Sequence, residues 1–242
     1  MHSFDSLRKS KAFALLIDPD KTVIDNWWIK AILASRPNFI LIGGSQEFPY
    51  EKLDKIVITL KANCDIPLLI FPGSKQQIHP KVDGLLALSV LQSRKSKFIL
   101  EQLIDSSLIL SQTRMGVFYT PYLILSTSGN TAVEIALENN FEKIISKRDF
   151  EKYIQTIYYL NPPCVYLEAG SGADKSVSSE YIQWTANKLS SYLFVGGGID
   201  SSQRAIEAWK AGADCIVIGN SVEKNLNFLA EVSSAREFIL QN

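Results

Sequence analysis

Eight short apolar runs punctuate this chain, at residues 12–17, 39–42, 67–71, 84–89, 116–125, 164–167, 192–195 and 215–218. Each is continuous rather than alternating, as in parallel strands covered on both faces. Amphipathic helical patterns follow them, at 23–35, 50–62, 95–104, 131–139, 149–159, 178–188, 201–211 and 222–239. Asn63 and Gly212 are candidate C-caps, and Asp200-Ser201-Ser202 supplies N-cap candidates. Eight strands alternating with helices in 242 residues predict a (β/α)8 TIM barrel. No composition shift or linker divides the chain, so residues 1–242 read as one α/β domain. A doubly wound open sheet is the alternative architecture. Its Gly-rich loop should follow the first strand, where this chain has Asp18-Pro19-Asp20-Lys21.

One interval is too short for a regular barrel. Only about a dozen residues, Pro80 among them, separate Pro72 from Gly84, and a crossover needs at least that length. The third helix is therefore expected to be missing or reduced to a turn. The consequence is either an abbreviated loop or a bare flank, where an apolar groove could hold a long hydrophobic ligand.

Composition narrows the function. Twenty-five basic and twenty-five acidic residues leave no net charge, so the basic footprint of a nucleic-acid binder is missing. With only His2 and His79, a histidine-based metal site or catalytic triad lacks raw material. Cys64, Cys164 and Cys215 lie far apart in apolar contexts and read as buried free thiols of a reducing compartment. The N-terminal residues lack the apolar core of a signal peptide. No apolar run approaches the roughly 20 residues of a bilayer span. A soluble, cytoplasmic protein is expected.

The chemistry collects at the strand C-termini, where ligands sit on parallel α/β scaffolds. Asp18, fixed by Pro19 at the tip of the first strand, suits a hard cation such as Mg²⁺, and equally an Asx turn. The second strand ends in Gly43-Gly44-Ser45, with backbone open to a ligand and one hydroxyl. The sixth delivers Glu168 into Ala169-Gly170-Ser171-Gly172-Ala173. That pattern fits a general base beside bare amides, or simply a strand end with a flexible connection. Tyr166 shares the face of Glu168 and could shape the site or pack in the core. Gly196-Gly197-Gly198 and Gly219-Asn220-Ser221 end the seventh and eighth strands, each shortly before a helix. Two adjacent glycine loops there form a phosphate cradle. Together these tips read as two anion subsites with a base between them, close to the opened flank.

These segments, in this order, closely resemble the geranylgeranylglyceryl phosphate synthase family: Leu16 to Lys21, Gly43 to Ser45, Phe71 to Ser74, Tyr166 to Ala173, Val195 to Ile199 and Gly212 to Asn220. The likeness covers nearly the whole chain. It implies a modified TIM barrel without a normal third helix. It also implies transfer of a polyprenyl group, geranylgeranyl above all, from its diphosphate to the C3 hydroxyl of sn-glycerol 1-phosphate. The product is an ether-lipid precursor. Carried onto matching positions, the resemblance assigns Mg²⁺ to Asp18 and Ser45. It places glycerol phosphate on Tyr166, Leu167, Glu168, Ala169, Gly170, Ser171, Gly172, Gly197, Gly198, Gly219 and Asn220. Glu168 would deprotonate or orient the attacking hydroxyl, with the prenyl tail in the groove. Family members form dimers or larger rings, so a homo-oligomer is implied. The chain departs from the family pattern at Gln92, where many members have Asn, and between Pro121 and Tyr122, where a glycine often sits. No role is assigned to Ser93, Arg94 or Tyr122.

Two rival readings keep the phosphate cradle. An isomerase or lyase acting on a sugar phosphate or indole phosphate needs no metal at the first strand, but usually has further acid/base residues at other strand tips. A non-enzymatic phosphoglycerol- or lipid-binding protein would have no use for Glu168.

Overall fold

The computed structural model describes residues 4, 7–44, 48–73, 77–125, 131–138 and 140–241. All eight expected strands form: β1 (Ala12–Ile17), β2 (Phe39–Ile42), β3 (Leu68–Ile70), β4 (Gly84–Val90), β5 (Gly116–Ile124), β6 (Cys164–Glu168), β7 (Tyr192–Gly196) and β8 (Cys215–Ile218). Each pairs in parallel with its sequence neighbour, and β8 pairs with β1 to close the barrel.

The apolar runs are continuous because each face of the sheet has its own core. In β6, Cys164 and Tyr166 pack inside the barrel, while Val165 and Leu167 pack outward against the helices. At the barrel's N-terminal end Phe4 enters the interior. Its ring lies 4.6 Å from that of Phe118, 4.9 Å from Tyr192 and 5.5 Å from Phe194. An aromatic plug of this kind leaves the opposite, C-terminal end as the open mouth.

The helices are α1 (Asn26–Ser35), α2 (Tyr50–Asn63), α3 (Glu101–Ser111), α4 (Ala132–Ala136), α5 (Lys147–Leu160), α6 (Ser179–Lys188), α7 (Ser202–Ala211), α8 (Asn220–Lys224) and α9 (Phe228–Gln241). Among the described residues none lies between β3 and β4, as the short interval requires. His79 instead anchors that connection. It is buried, with Nε2 3.0 Å from Asp54 Oδ1 of α2 and its ring stacked on Tyr50.

Local chemistry corrects several expected boundaries. The first helix starts at Asn26 rather than residue 23, because the Asp25 carboxylate accepts from the amides of Trp27 and Trp28. The pattern at 95–104 resolves into a 3-10 turn (Ser96–Phe98) followed by α3. Residues 222–239 are not one helix. Asn225 is extended and its side-chain oxygen accepts from Asn227 N, so α8 ends and α9 begins afresh. Asn63 is the last residue of α2 and bonds back to Thr59, leaving the cap to Cys64. Ser201 and Gly212 do cap α7, the latter at φ +116°. All three cysteines are free, and Cys64 is half-buried where a buried thiol was expected.

Candidate active site

β6 carries Glu168 to the rim, where the side chain is almost fully buried. Burial pushes its carboxyl up to about 6 against three donors that favour the charged form. Gly170 N donates to Oε1 at 2.6 Å, and the hydroxyls of Tyr122 and Tyr166 hydrogen-bond to the carboxylate. The two rings stack at 5.1 Å, Tyr122 of β5 lying opposite Tyr166 of β6 in register. Burial first, and the Glu168 charge second, hold both phenols well above their usual range, so they stay protonated donors. The result is a carboxylate that gives up its proton at about pH 6 and is held in place by three donors.

Glu168 lies where two concavities meet. One, of about 320 Å³, is polar. Tyr166, Ser171, Gly172, Gly197, Gly198, Gly219 and Asn220 line it, with Lys224 at its edge. Its loops are tied together by side chains. Asn220 donates to Ser171 Oγ at 2.8 Å, joining the turns after β8 and β6. Arg204 of α7 donates to the carbonyls of Gly198 (2.8 Å) and Asp174 (2.9 Å), joining the turns after β7 and β6. Gly197 must be glycine. Its φ is +80°, and a Cβ there would overlap Glu168 Oε1 and lie 2.6 Å from Gly170 N. At Gly219 no side chain caps the first turn of α8, which leaves amides for an anion.

The other concavity, of about 150 Å³, is mostly apolar and runs from Glu168 past Phe71, Leu88, Val90, Phe98 and Leu137. Pro72, Leu88 and Gln102 also line a smaller apolar hollow of about 30 Å³, floored by Leu85 and Ala87 of β4 and walled by α3. The hollow lies on the flank without a third helix, and at about 30 Å³ it is too small by itself for a long hydrophobic ligand. At the other side of the cleft stand Asp18, Lys21 and Glu223. Asp18 Oδ1 accepts from Asp20 N at 3.0 Å, which is the Asx turn, and Oδ2 pairs with Lys21 Nζ at 3.1 Å. The carboxylate abuts Gly44, where a Cβ would come within 2.6 Å of it.

Residues 5–236 match the PcrB family. The chain belongs to that family. It is 33% identical over 94% of its length to a geranylgeranylglyceryl phosphate synthase of Ignicoccus hospitalis, and covers 95% of that relative. It is 32% identical to the synthase of Chitinophaga pinensis, over 93% of this chain and 90% of the relative. The fold superposes at a TM-score of 0.88 on (S)-3-O-geranylgeranylglyceryl phosphate synthase from Thermoplasma acidophilum, solved in complex with sn-glycerol-1-phosphate. That likeness covers 100% of both chains at 24% identity.

The structure brings most of the expected site residues of this PcrB-family chain together. Tyr166, Glu168, Ser171, Gly172, Gly197, Gly198, Gly219 and Asn220 all face the polar lobe, and Asp18 faces the cleft. Three expected residues contribute differently. Leu167 and Ala169 are buried in the layer beneath the helices, because alternation along the strand turns them outward. Gly170 spends its amide on Glu168. Ser45 lies outside the described residues. Sequence reasoning left Tyr122 without a role, and it passed over Lys21, Glu223, Arg204 and Lys224. Tyr122 had a signal, since its place in β5 gives it the same inward parity as Thr120. Arg204 had none, since its partners are carbonyls.

Proposed function

We propose that the protein joins a polyprenyl diphosphate, geranylgeranyl diphosphate foremost, to the C3 hydroxyl of sn-glycerol 1-phosphate. The products are a prenylglyceryl phosphate and diphosphate. The observation that carries this reading is the position of Glu168, shared by a polar lobe and an apolar cleft. A phosphate in the glycine cradle would set a glycerol hydroxyl beside the Glu168 carboxylate. A prenyl chain along Phe71, Leu88 and Phe98 would bring its reactive carbon to the same point. The C–O bond to diphosphate breaks, the glycerol oxygen bonds to the allylic carbon, and its proton passes to Glu168. Tyr122 and Tyr166 keep that carboxylate ionised and aimed, so little reorganisation accompanies the transfer.

Mg²⁺ is part of this proposal. Among the described residues no group of three His, Cys, Asp or Glu side chains could enclose a metal. A cation that keeps its waters and takes substrate oxygens needs only one or two protein ligands. Asp18, an oxygen donor at the mouth of the cleft, fits that requirement, with Ser45 as the second candidate. When bound, the ion supplies charge stabilisation to the departing diphosphate. A homo-oligomer and a cytoplasmic location complete the proposal. Among the described residues no helix is long and apolar enough to cross a membrane.

The test incubates the purified protein with Mg²⁺, sn-glycerol 1-phosphate and a series of prenyl diphosphates, with sn-glycerol 3-phosphate as control. Mass spectrometry should find a prenylglyceryl phosphate with the 1-phosphate only, lost in EDTA. No product across the series would overturn the reading in favour of a sugar-phosphate isomerase or a binding protein.

A further inference from the structure

The charges around the cleft do not match an anionic substrate. Asp18 and Glu223 both line it, and Lys21 is the one cationic side chain among its described lining residues. Glu223 sits half-buried in the first turn of α8, where burial raises its carboxyl, Lys21 opposes that rise and Asp18 adds to it. The three groups thus form one electrostatic cluster at the place where a diphosphate must arrive. Left as it stands, Lys21 is committed to Asp18 at 3.1 Å, and the carboxylates of Asp18, Glu223 and Glu168 would face the incoming anion.

We infer that Lys21 is an exchangeable counter-ion: it holds the Asp18 carboxylate in the free protein, and it turns to the diphosphate once a divalent cation takes Asp18. The inference rests on the proposed prenyl transfer and on Asp18 as the cation's ligand. The Lys21 side chain is 51% exposed, and ion pairs that exposed are only weakly held. The exchange therefore costs little. The lysine stem is flexible and its ammonium carries three donors, so it can follow the anion without backbone movement. Asp18 cannot follow, because its other oxygen is fixed by Asp20 N and its face lies against Gly44. One partner is rigid and the other mobile, as an exchange requires. Glu223 keeps Lys21 in the cleft after it leaves Asp18.

The experiment measures Mn²⁺ by electron paramagnetic resonance, as a visible stand-in for Mg²⁺, with and without inorganic pyrophosphate. Wild type, Lys21→Met, Lys21→Arg and Asp18→Asn are compared. Removing a competitor should tighten Mn²⁺ binding to free Lys21→Met about two- to fivefold. The same variant should bind pyrophosphate in the presence of Mn²⁺ about tenfold more weakly, with Lys21→Arg restoring most of that loss. Lys21→Met indistinguishable from wild type in either affinity would overturn the exchange while leaving the cation reading intact. Wild type that takes up no more Mn²⁺ than Asp18→Asn would remove the cation reading, and the exchange with it.

Discussion

Replacing Glu168 by glutamine should make the protein more stable and nearly inactive, and the stability gain should depend on pH in a defined sense. Burial moves the Glu168 carboxyl from 4.5 to about 6 in the folded chain. That difference is worth roughly 2 kcal/mol, borne by the ionised form. A raised folded pKa means that the native state binds the proton more tightly than the unfolded chain does. The destabilisation is thus complete above pH 6, shrinks as pH falls through 6 toward 4.5, and vanishes below that. Glutamine carries no charge and escapes it. Glutamine also offers one accepting oxygen in place of two to Gly170 N and the two tyrosine hydroxyls, an offset of about 1 kcal/mol. A net gain of about 1 kcal/mol at pH 8 raises Tm by about 2–4 °C for a chain of this size. Prenylglyceryl phosphate formation should fall about 10²- to 10⁴-fold, while sn-glycerol 1-phosphate binding stays within a few fold. Thermal melts of both proteins at pH 8 and pH 5, with a mass-spectrometric activity assay, measure all of this. A variant less stable than wild type at pH 8, or a Tm difference equal at both pH values, refutes the account of a strained buried carboxylate. Full activity in the variant refutes the base.

Three further outcomes follow from the geometry. Gly197→Ala should lose about 2–4 kcal/mol in urea unfolding and abolish glycerol 1-phosphate binding, since the new methyl meets Glu168 at a positive φ. Arg204→Met should raise KM for glycerol 1-phosphate about tenfold with kcat little changed, because it frees the turns holding Gly198 and Asp174 without touching Glu168. An equal fall in kcat would show that Arg204 acts on the chemistry instead. Gln92→Leu should cost about 2–4 kcal/mol by calorimetry. Its buried amide bonds both backbone groups of Ile124 and the Glu142 carbonyl, and all three would be left without partners.

The departure at Gln92 illustrates why parts of this site could not be read in one dimension. In sequence Gln92 looks like a loop residue at a place where the family resemblance implies Asn in many members. In the fold it is 1% exposed and clamps the end of β5 to the loop before α5. Tyr122 carried a parity signal in β5, but its hydroxyl becomes a donor to Glu168 only when β5 and β6 pair at Tyr122 and Tyr166. Register is a property of two segments at once, and no local pattern encodes it.

By itself the sequence determined the barrel, the missing third helix, the glycine cradle and the acid at the end of β6. These rest on short-range physics: apolar runs need cover on both faces, a dozen residues cannot hold a crossover helix, and only glycine supplies open backbone at a rim. Only the tertiary structure decided that Tyr122 reaches Glu168, that Arg204 ties the turns after β6 and β7, and that Glu223 joins Asp18 and Lys21 in one cleft. Those outcomes depend on distances between residues far apart in the chain. Burial by distant neighbours likewise sets the Glu168 carboxyl at about 6, in balance with donors from β5 and the following turn.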